Sequence, residues 1–496
     1  MRVTLINPNI VTQKGDFFSS GVPYMPVSLA YLAGVLMKKN DVQIIDAFGE
    51  APQKMHVKGD YFIQGLTIQE ILSKVKNDTE HFFTYAGQVV SHTVHLDIIK
   101  ALRKQFPATP ITVVENTQSV VAYALTKVAE DFFSAGATYI ITGEAEPCAE
   151  LLLTGTTPEK IDGLVFRKNN QIIRNKKISY LSSEELDKLP FPAWELFPVQ
   201  NYWKLGYAHG PLTEKRYLSI LTSRGCGLLC NFCVVPETNE GKWRSRSAKN
   251  VVDEIEHWVK MFDVHEFHIQ DLNPTTYKGR IAEMSRIILE RKLHVNWKFV
   301  AGTKIETLDK ETITLAAKAG CSYVSLSPES GSPRVLKLMK KSFVHKYGLE
   351  MVRHMHNLGV TSQACFVLGF PGETDEDLEM SVDYCKQLAK TGVDELALFI
   401  MTPIPGSATY GTSGLTNFER LDQLTFSPTW RSDYCKLQRL RWKIYTRFFF
   451  WKLIHHPIKL LKQPFHVLSG RFHTKMEQTV FHAIKLWWMS RTAKQL

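Results

Sequence analysis

The chain has 496 residues, of which 44% are hydrophobic and 22% are charged. This composition is that of a globular protein and excludes a disordered chain. The length is sufficient for two or three domains. The net charge of +11 is uneven, because residues 431–496 hold fourteen lysines and arginines against two acidic residues. The rest of the chain is therefore nearly neutral. No run of about 18 uncharged apolar residues is present, so a membrane-spanning helix is not expected.

Residues 1–155 alternate short strands with helices. β-branched and aromatic runs such as VTLINPN, VQIIDAF and PITVVEN are separated by segments with apolar residues at helical spacing. This alternation predicts a doubly wound, Rossmann-like parallel sheet. Ligands of such sheets bind beyond the carboxyl ends of the strands. The residues expected near a ligand are therefore those at or after strand ends: Asn7, Pro8, Thr84, Tyr85, Glu115, Asn116, Gly143 and Glu144.

Residues 156–215 are predicted to be a linker. The segment GLVFRKNNQIIRN is typical of a hairpin with a polar turn at Asn169-Asn170. The following LPFPAWELFP is rich in proline, which favours an extended backbone.

From residue 216 to about residue 410 the alternation of strands and helices resumes. Six strands in one series, each ending in Gly, Asp, Asn, Glu or Pro, predict a full or partial (β/α) barrel. In that fold the chemistry takes place at the carboxyl ends of the strands. The loop RGCGLLCNFC follows the first of these strands and holds Cys226, Cys230 and Cys233.

These three cysteines form a metal-binding pattern. The first residues, MRVTLINPNI, indicate a strand rather than a signal peptide, so we expect a cytoplasmic protein with reduced thiols. Structural zinc commonly uses two spaced pairs of ligands, and no second CxxC pair or His-rich segment lies near the loop. An iron–sulfur cubane fits better, because three thiolates can hold three irons and leave the fourth open.

At these residues the sequence resembles the radical SAM superfamily, whose hallmark is CxxxCxxC with an aromatic residue before the last cysteine, here Phe232. Further matching segments follow in the same order: Gln270-Asp271-Leu272-Asn273, Pro328-Glu329-Ser330-Gly331, residues 369–374 and Pro405-Gly406. LINPN, PYMPVSLAYLAGVL and GEAEPCAELL resemble the cobalamin-binding domain of the cobalamin-dependent branch, and LPFPAWELFP resembles its linker. The resemblance covers about residues 1–430.

The resemblance implies three cofactors: a 4Fe-4S cluster on the three cysteines, S-adenosylmethionine at the fourth iron, and cobalamin in the N-terminal domain. Other residues implied as cofactor contacts are Asp271, Asn273, Glu329, Ser330, Gly369 and Pro405. The sequence departs from the pattern of that cobalamin-binding domain at one strand end. The family usually has a Gly-Gly turn beside the corrin there, whereas this sequence reads VVENTQ. Glycine permits close backbone approach, so Glu115-Asn116 is expected to crowd or rearrange that path.

The implied activity is methyl transfer to an unactivated carbon of a hydrophobic or membrane-associated small molecule. Electrons would come from a donor such as ferredoxin or flavodoxin. Radical ring formation or rearrangement without methyl transfer, and a non-catalytic cluster- or corrinoid-binding scaffold, are the alternatives. The tRNA methylthiolation family carries three further cysteines upstream, whereas Cys148 is the sole cysteine before the loop here.

Residues 411–496 are predicted to be a basic, aromatic-rich helical region. RWKIYTRFFFWKLIHHPIKLLKQPFHVL interleaves aromatic and aliphatic residues with lysine and arginine, a composition that suits a helix at an anionic membrane surface. Packing of the aromatic residues on the barrel, with the basic residues in water, is the alternative. No recognisable nucleic-acid-binding module is present, so no nucleic acid partner is expected.

Overall fold

The computed structural model describes residues 1–16, 20–176, 180–412, 414–490 and 494–495. Two parallel sheets form the body of the protein, and a group of helices at the C-terminus packs against the second sheet. The predicted fold class is confirmed in each of these parts.

The N-terminal sheet has seven strands. In sheet order they are Asp41–Asp46, Arg2–Asn7, His81–Ala86, Ile111–Glu115, Tyr139–Ile141, Leu164–Lys168 and Gln171–Arg174. The first five are parallel, and the last two form the predicted antiparallel hairpin at the edge. Asn169 and Asn170 have φ of 49° and 62°, a left-handed conformation that asparagine tolerates in turns.

Helices cover both faces of this sheet. Along its second strand Val3 and Leu5 pack into one core, whereas Ile6 packs into the other. This alternation is the period-two pattern of a strand buried on both faces. The helices are Val27–Leu36, Ile68–Lys74, His92–Gln105, Ala129–Ala135 and Ala145–Leu153.

A small sheet beside the N-terminal domain was not predicted from the sequence. Its strands, in order, are Lys494–Gln495, Met55–Lys58, Tyr61–Gln64 and Ile10–Gln13. The linker contains the short helices Ser183–Lys188 and Val199–Leu205.

The second sheet, here called the barrel sheet, has six parallel strands in chain order. They are Tyr217–Ile220, Glu266–Ile269, Asn296–Thr303, Cys321–Glu329, Thr361–Leu368 and Glu395–Ile400. Within the described part of the chain the first and last strands do not pair with each other, so the barrel is partial. The helices of this part are Val235–Asn239, Ala248–Phe262, Lys278–Glu290, Lys310–Lys318, Pro333–Leu338, His345–Leu358 and Asp375–Thr391.

Three C-terminal helices, Tyr434–His455, Pro457–Ser469 and Lys475–Ser490, lie beside this open barrel. The side-chain amide of Gln478 donates to Ala208 O at 2.7 Å, in the segment just before the first barrel strand. The Met476 backbone N–H donates to Glu395 on the last strand at 2.8 Å. The last helix thus bridges the open side of the barrel. None of the helices in the described ranges has the length and apolarity that crossing a membrane requires.

Candidate active site

A cavity of about 980 Å³ lies where the two domains and the C-terminal helices meet. The N-terminal sheet contributes strand-end residues such as Asn7 and Asn116, and the cysteine loop contributes all three cysteines. Residues along the barrel sheet and on each of the three C-terminal helices complete the wall, which is mostly apolar. The volume is at the upper end of the range for ligand sites in proteins.

The cysteine loop is shaped by a short antiparallel pair. Ser223–Gly225 pairs with Trp243–Ser245 directly before the first cysteine. Gly225 has φ of 77°, and a Cβ there would collide with the carbonyl oxygen of Lys242. A glycine is therefore required at this position, because both the conformation and the close approach exclude a side chain.

Burial favours the protonated form of the three thiols, and a nearby positive charge and hydrogen-bond donors oppose it. Burial raises the pKa of Cys230 to about 11 and that of Cys233 to about 12, while the nearby Lys341 ammonium acts in the opposite direction on both. The backbone N–H of Val235 donates to Cys233 Sγ at 3.4 Å, and a hydrogen bond from Asn273 lowers the pKa of Cys226 against the effect of burial. A bound metal would deprotonate the thiols.

Within the described ranges, no three His, Cys, Asp or Glu side chains surround a single point suited to one metal ion. A cubane holds its thiolates at separate corners, which is wider than the ligand set of one ion. All three cysteines line the cavity, and a cubane takes one thiolate at each of three corners.

Glu329 lines the cavity in an unusual backbone conformation. Its φ is 63°, and the pairing of its strand with the next strand shifts register between Leu326 and Glu329. The carboxylate forms an ion pair of 3.1 Å with Lys341, and both residues line the cavity. Strained residues of this kind persist where the surrounding contacts fix them, commonly at functional sites.

Ionic contacts hold the N-terminal domain against the cysteine loop. Arg224 Nη2 lies 2.7 Å from Glu146 Oε1, and Arg244 forms an ion pair with Glu144. All four side chains are at most 10% exposed. Gln118 Oε1 also accepts the backbone N–H of Gly225 at 3.0 Å. The loop is therefore fixed by the other domain as well as by its own.

The cavity brings together ten of the eighteen site residues predicted from the sequence. They are Asn7, Pro8, Tyr85, Asn116, Cys226, Cys230, Phe232, Cys233, Asn273 and Glu329. The other eight lie outside its lining, and most of them have internal partners. They are Thr84, Glu115, Gly143, Glu144, Asp271, Ser330, Gly369 and Pro405.

In the N-terminal domain, Glu115 turns away from the cavity. Its two carboxylate oxygens accept the backbone N–H groups of Leu125 at 2.9 Å and Gly143 at 2.8 Å. The Glu115 side chain therefore does not line the cavity, because these donors hold it between two loops. Asn116 does line the cavity, and its amide donates to Gly87 O at 2.9 Å. Thr84 is fully buried with no partner for Oγ1.

In the barrel, three of the predicted residues bond to neighbouring loops. Asp271 accepts from the backbone and side chain of Thr222 at 2.7 and 2.6 Å. Ser330 Oγ accepts the Ser332 N–H at 3.1 Å. The Pro405 carbonyl accepts the N–H of Ala124 at 2.8 Å, a contact between the domains.

Gly369 shapes a turn behind the cavity wall. Its φ is 77°, and its N–H donates to Glu373 Oε2 at 2.6 Å. Burial raises the pKa of Glu373 to about 7, although two backbone N–H groups favour its charged form.

Several cavity residues were missed by sequence reasoning. Lys341 follows the Glu329 strand, Cys365 and Glu395 lie on barrel strands, His95 lies on an N-terminal helix, and Lys475 begins the last helix. Only the capping pattern Thr474-x-x-Glu477 gave a local signal, and it marks the start of a helix rather than a cavity.

Part of the chain matches a known family, and most of it is similar to known proteins. Residues 220–385 match the model of the radical SAM superfamily. The chain is 27% identical over 446 residues to cytidylyl-2-hydroxyethylphosphonate methyltransferase of Streptomyces wedmorensis, covering 82% of this chain and 80% of the relative. It is 24% identical over 310 residues to an anaerobic magnesium-protoporphyrin IX monomethyl ester cyclase of Synechocystis sp., covering 59% of each.

Solved structures share the fold over most of the chain. The radical S-adenosylmethionine methyltransferase TsrM from Kitasatospora setae matches with a TM-score of 0.62 at 18% identity, over 82% of this chain and 74% of that one. The cobalamin-dependent S-adenosylmethionine radical enzyme OxsB matches with a TM-score of 0.61 at 18% identity, over 98% of this chain and 66% of that one. Residues 220–385 are therefore similar to a radical SAM domain, and the chain shares its fold with TsrM and OxsB over most of its length.

Proposed function

We propose that this enzyme transfers a methyl group to an unactivated carbon of a small, largely apolar molecule, with cobalamin as the methyl carrier. The observation that carries the proposal is the single cavity shared by the cysteine loop and the strand ends of the N-terminal sheet. An electron-transfer site and a methyl carrier must both reach one substrate, and a common cavity allows this. The names of relatives support it, since two that cover 82% of this chain are called methyltransferases.

Cys226, Cys230 and Cys233 would hold the 4Fe-4S cluster, and the chemistry of their surroundings fits it. When bound, the cluster supplies the electron that cleaves S-adenosylmethionine, and cobalamin supplies a methyl group. The Lys341 ammonium and the donors from Val235 and Asn273 favour thiolates, which are the ligand form. TsrM has been solved with a 4Fe-4S cluster and cobalamin.

Glu329 and Lys341 would bind the polar part of S-adenosylmethionine. Both line the cavity, and their 3.1 Å ion pair places a carboxylate and an ammonium side by side. The amino acid part of that cofactor carries an ammonium and a carboxylate. The ammonium could pair with Glu329 and the carboxylate with Lys341. The mostly apolar wall excludes water, which strengthens such polar contacts. OxsB has been solved with S-adenosylmethionine and aqua-cobalamin.

The N-terminal end of the cavity offers partners to a polar ligand such as cobalamin. Asn7 and Asn116 line it with amide groups. His95 lines it as well, and its Nε2 is buried without a hydrogen-bond partner. Burial lowers the pKa of His95 to about 3, so the imidazole is neutral and free to accept or donate. A buried polar atom with no protein partner fits a ligand that supplies one.

The substrate would occupy the barrel side of the cavity. Aromatic and aliphatic residues of the C-terminal helices form one wall there, including Trp442, Phe449 and Val467. Lys475 and Glu395 provide polar groups at the same end. This combination suits a molecule with a large apolar part and a polar group. A reduced one-electron donor such as ferredoxin or flavodoxin and a cytoplasmic location belong to the same proposal.

The test is anaerobic incubation of the holoenzyme with reductant and S-adenosylmethionine labelled in its methyl group. We expect 5′-deoxyadenosine to form, and the label to appear in a product extracted from candidate apolar substrates. Deoxyadenosine without labelled product would support radical ring formation or rearrangement instead. Absence of S-adenosylmethionine turnover under all conditions would support a non-catalytic scaffold.

A further inference from the structure

The helix Pro457–Ser469 is apolar on two adjoining sides, yet none of its residues is buried. On one face Leu460, Gln463, Pro464 and Val467 cover the cavity. On the adjoining side Ile458, Leu461, Phe465 and Leu468 follow one another at a spacing of three, four and three residues, which places them in one outer stripe. The remaining side of the helix is polar, with Lys459, Lys462, His466 and Ser469. The outer stripe is therefore an exposed apolar surface of the kind that marks an interaction site.

The outer stripe is strongly exposed. Ile458, Leu461, Phe465 and Leu468 are 66% to 84% exposed. The two neighbouring helices add exposed apolar side chains of their own: Phe450, Leu453, Ile454, Phe481, Ile484 and Trp487. We call these ten residues the apolar face. Exposed apolar patches of this kind mark interaction sites.

The cavity opens beside this apolar face. Six of the described residues both line the cavity and are exposed: Val120, Trp442, Phe449, Pro464, Leu468 and Val480. Five of them lie on the C-terminal helices, and each of the three helices contributes at least one. They mark a mouth ringed by apolar side chains. Leu468 belongs to the apolar face as well, so mouth and face are continuous.

Free positive charge borders the same region. Arg447, Lys462 and Arg471 are exposed, and no carboxylate of the described residues lies within ion-pair distance of them. A second copy of this face would bring like charges together, which disfavours self-association. An anionic lipid surface instead accepts both the apolar side chains and the surrounding positive charges.

We infer that the apolar face lies in the surface of an anionic lipid bilayer, and that the cavity mouth opens there to admit an amphiphilic substrate directly from the lipid. The substrate part of this inference rests on the proposed function, whereas the lipid docking does not. The apolar part of the substrate would pass Trp442, Phe449, Leu468 and Val480 without crossing water, and its polar group would reach Lys475 and Glu395 deeper in the cavity.

The test is flotation of the anaerobically purified holoenzyme with vesicles of phosphatidylcholine alone or of phosphatidylcholine mixed with phosphatidylglycerol. We expect flotation with the mixed vesicles and a decline with rising salt. The double variant Leu461→Asp/Phe465→Asp should lower the bound fraction at least about tenfold, since charged side chains resist burial in lipid. The matched control is Met261→Asp/Leu289→Asp, which alters exposed apolar residues on barrel helices and should float like the original.

A second variant, Lys462→Glu/Arg471→Glu, separates charge from apolar burial and should reduce binding to the anionic vesicles alone. For the mouth, a phosphatidylcholine that carries a nitroxide on its acyl chain should quench tryptophan fluorescence less in Trp442→Phe than in the original. Equal flotation of Leu461→Asp/Phe465→Asp and the original protein would overturn the docking. If the original protein is a dimer and the same variant is a monomer, a second copy covers the apolar face. That result would also overturn the lipid docking.

Reductive cleavage of S-adenosylmethionine, measured on the same variants, keeps the two proposals apart. Leu461 and Phe465 do not line the cavity, so 5′-deoxyadenosine formation in detergent-free buffer should be unchanged by their substitution. Loss of vesicle binding with intact turnover supports the docking alone. Vesicle binding without any turnover leaves the docking standing and removes the proposed function. Equal quenching of Trp442→Phe and the original protein would overturn the position of the mouth.

Discussion

Glu395 Oε2 accepts the backbone N–H of Met476 at 2.8 Å, and Glu395 Oε1 accepts the hydroxyl of Tyr323 at 2.6 Å. A fully buried carboxylate on the last barrel strand thereby caps the N-terminus of the last helix. Negative charge is favourable there because the helix dipole is positive at this end. This contact fixes the C-terminal region across the open side of the barrel and so completes the cavity.

Glu395→Gln should loosen the last helix. Gln363 Nε2 also donates to Glu395 Oε1, at 3.2 Å, so three donors converge on the carboxylate. A glutamine amide would add a further donor there, and one of the three would lose its acceptor. We expect a loss of about 1–3 kcal/mol in the free energy of unfolding, and faster hydrogen exchange in residues 475–490. Chemical denaturation and exchange mass spectrometry measure the two effects. Glu350→Gln, at an exposed pair 3.9 Å from Lys310, is the control and should change neither.

Each of Cys226→Ala, Cys230→Ala and Cys233→Ala should abolish the iron–sulfur cluster. Removal of one corner ligand leaves an iron held by nothing in the protein. Iron and sulfide content after anaerobic reconstitution is the measurement. Cys365→Ala is the matched control, because Cys365 lines the same cavity on a barrel strand and should leave the cluster in place. Cluster loss in Cys365→Ala would mean that the ligand set is assigned wrongly.

Lys341→Met should destabilise the folded protein and hinder cluster assembly. It leaves the buried Glu329 carboxylate without its 3.1 Å partner, which costs about 3–5 kcal/mol when a buried pair is broken. It also removes the ammonium that opposes the raised pKa of Cys230. Denaturation and the rate of reconstitution at neutral pH are the measurements. Lys340→Met, at the exposed neighbour in the same loop, should behave like the original.

Glu373 should make stability fall as pH rises. Burial raises its pKa in the folded protein from about 4.5 to about 7, so the folded state binds the proton more tightly than the unfolded chain does. The protonated carboxyl group therefore contributes to the stability of the folded state. That contribution is complete below about pH 4.5 and is lost as pH rises through about 7. Glu373→Gln should flatten this part of the profile of unfolding temperature against pH. An unchanged profile would show that Glu373 is ionised throughout.

The two sheets and the cysteine loop could be predicted because their signals are local. Six strands at regular spacing and three thiols in eight positions follow from neighbouring residues alone. Side-chain direction at strand ends could not be predicted in this way. Glu115 and Glu329 both end strands, yet Glu115 is held by two backbone N–H groups and Glu329 faces the cavity beside Lys341.

Contacts between distant parts of the chain also could not be predicted from the sequence pattern. Lys475 reaches the barrel end of the cavity because its neighbours Gln478 and Met476 form hydrogen bonds with residues 208 and 395. The sequence around Lys475 does not indicate these partners. The capping pattern at Thr474 indicates where the helix begins and gives no information on where it docks.

The most direct test of the account is the corrinoid content of protein purified anaerobically with cobalamin supplied, measured beside its iron. The account predicts about one corrinoid and one 4Fe-4S cluster for each chain, and a lower corrinoid content with unchanged iron in His95→Phe. His265→Phe, at an exposed histidine of the barrel, is the control and should match the original. A full cluster without corrinoid would contradict the account, because the N-terminal domain would then hold no methyl carrier.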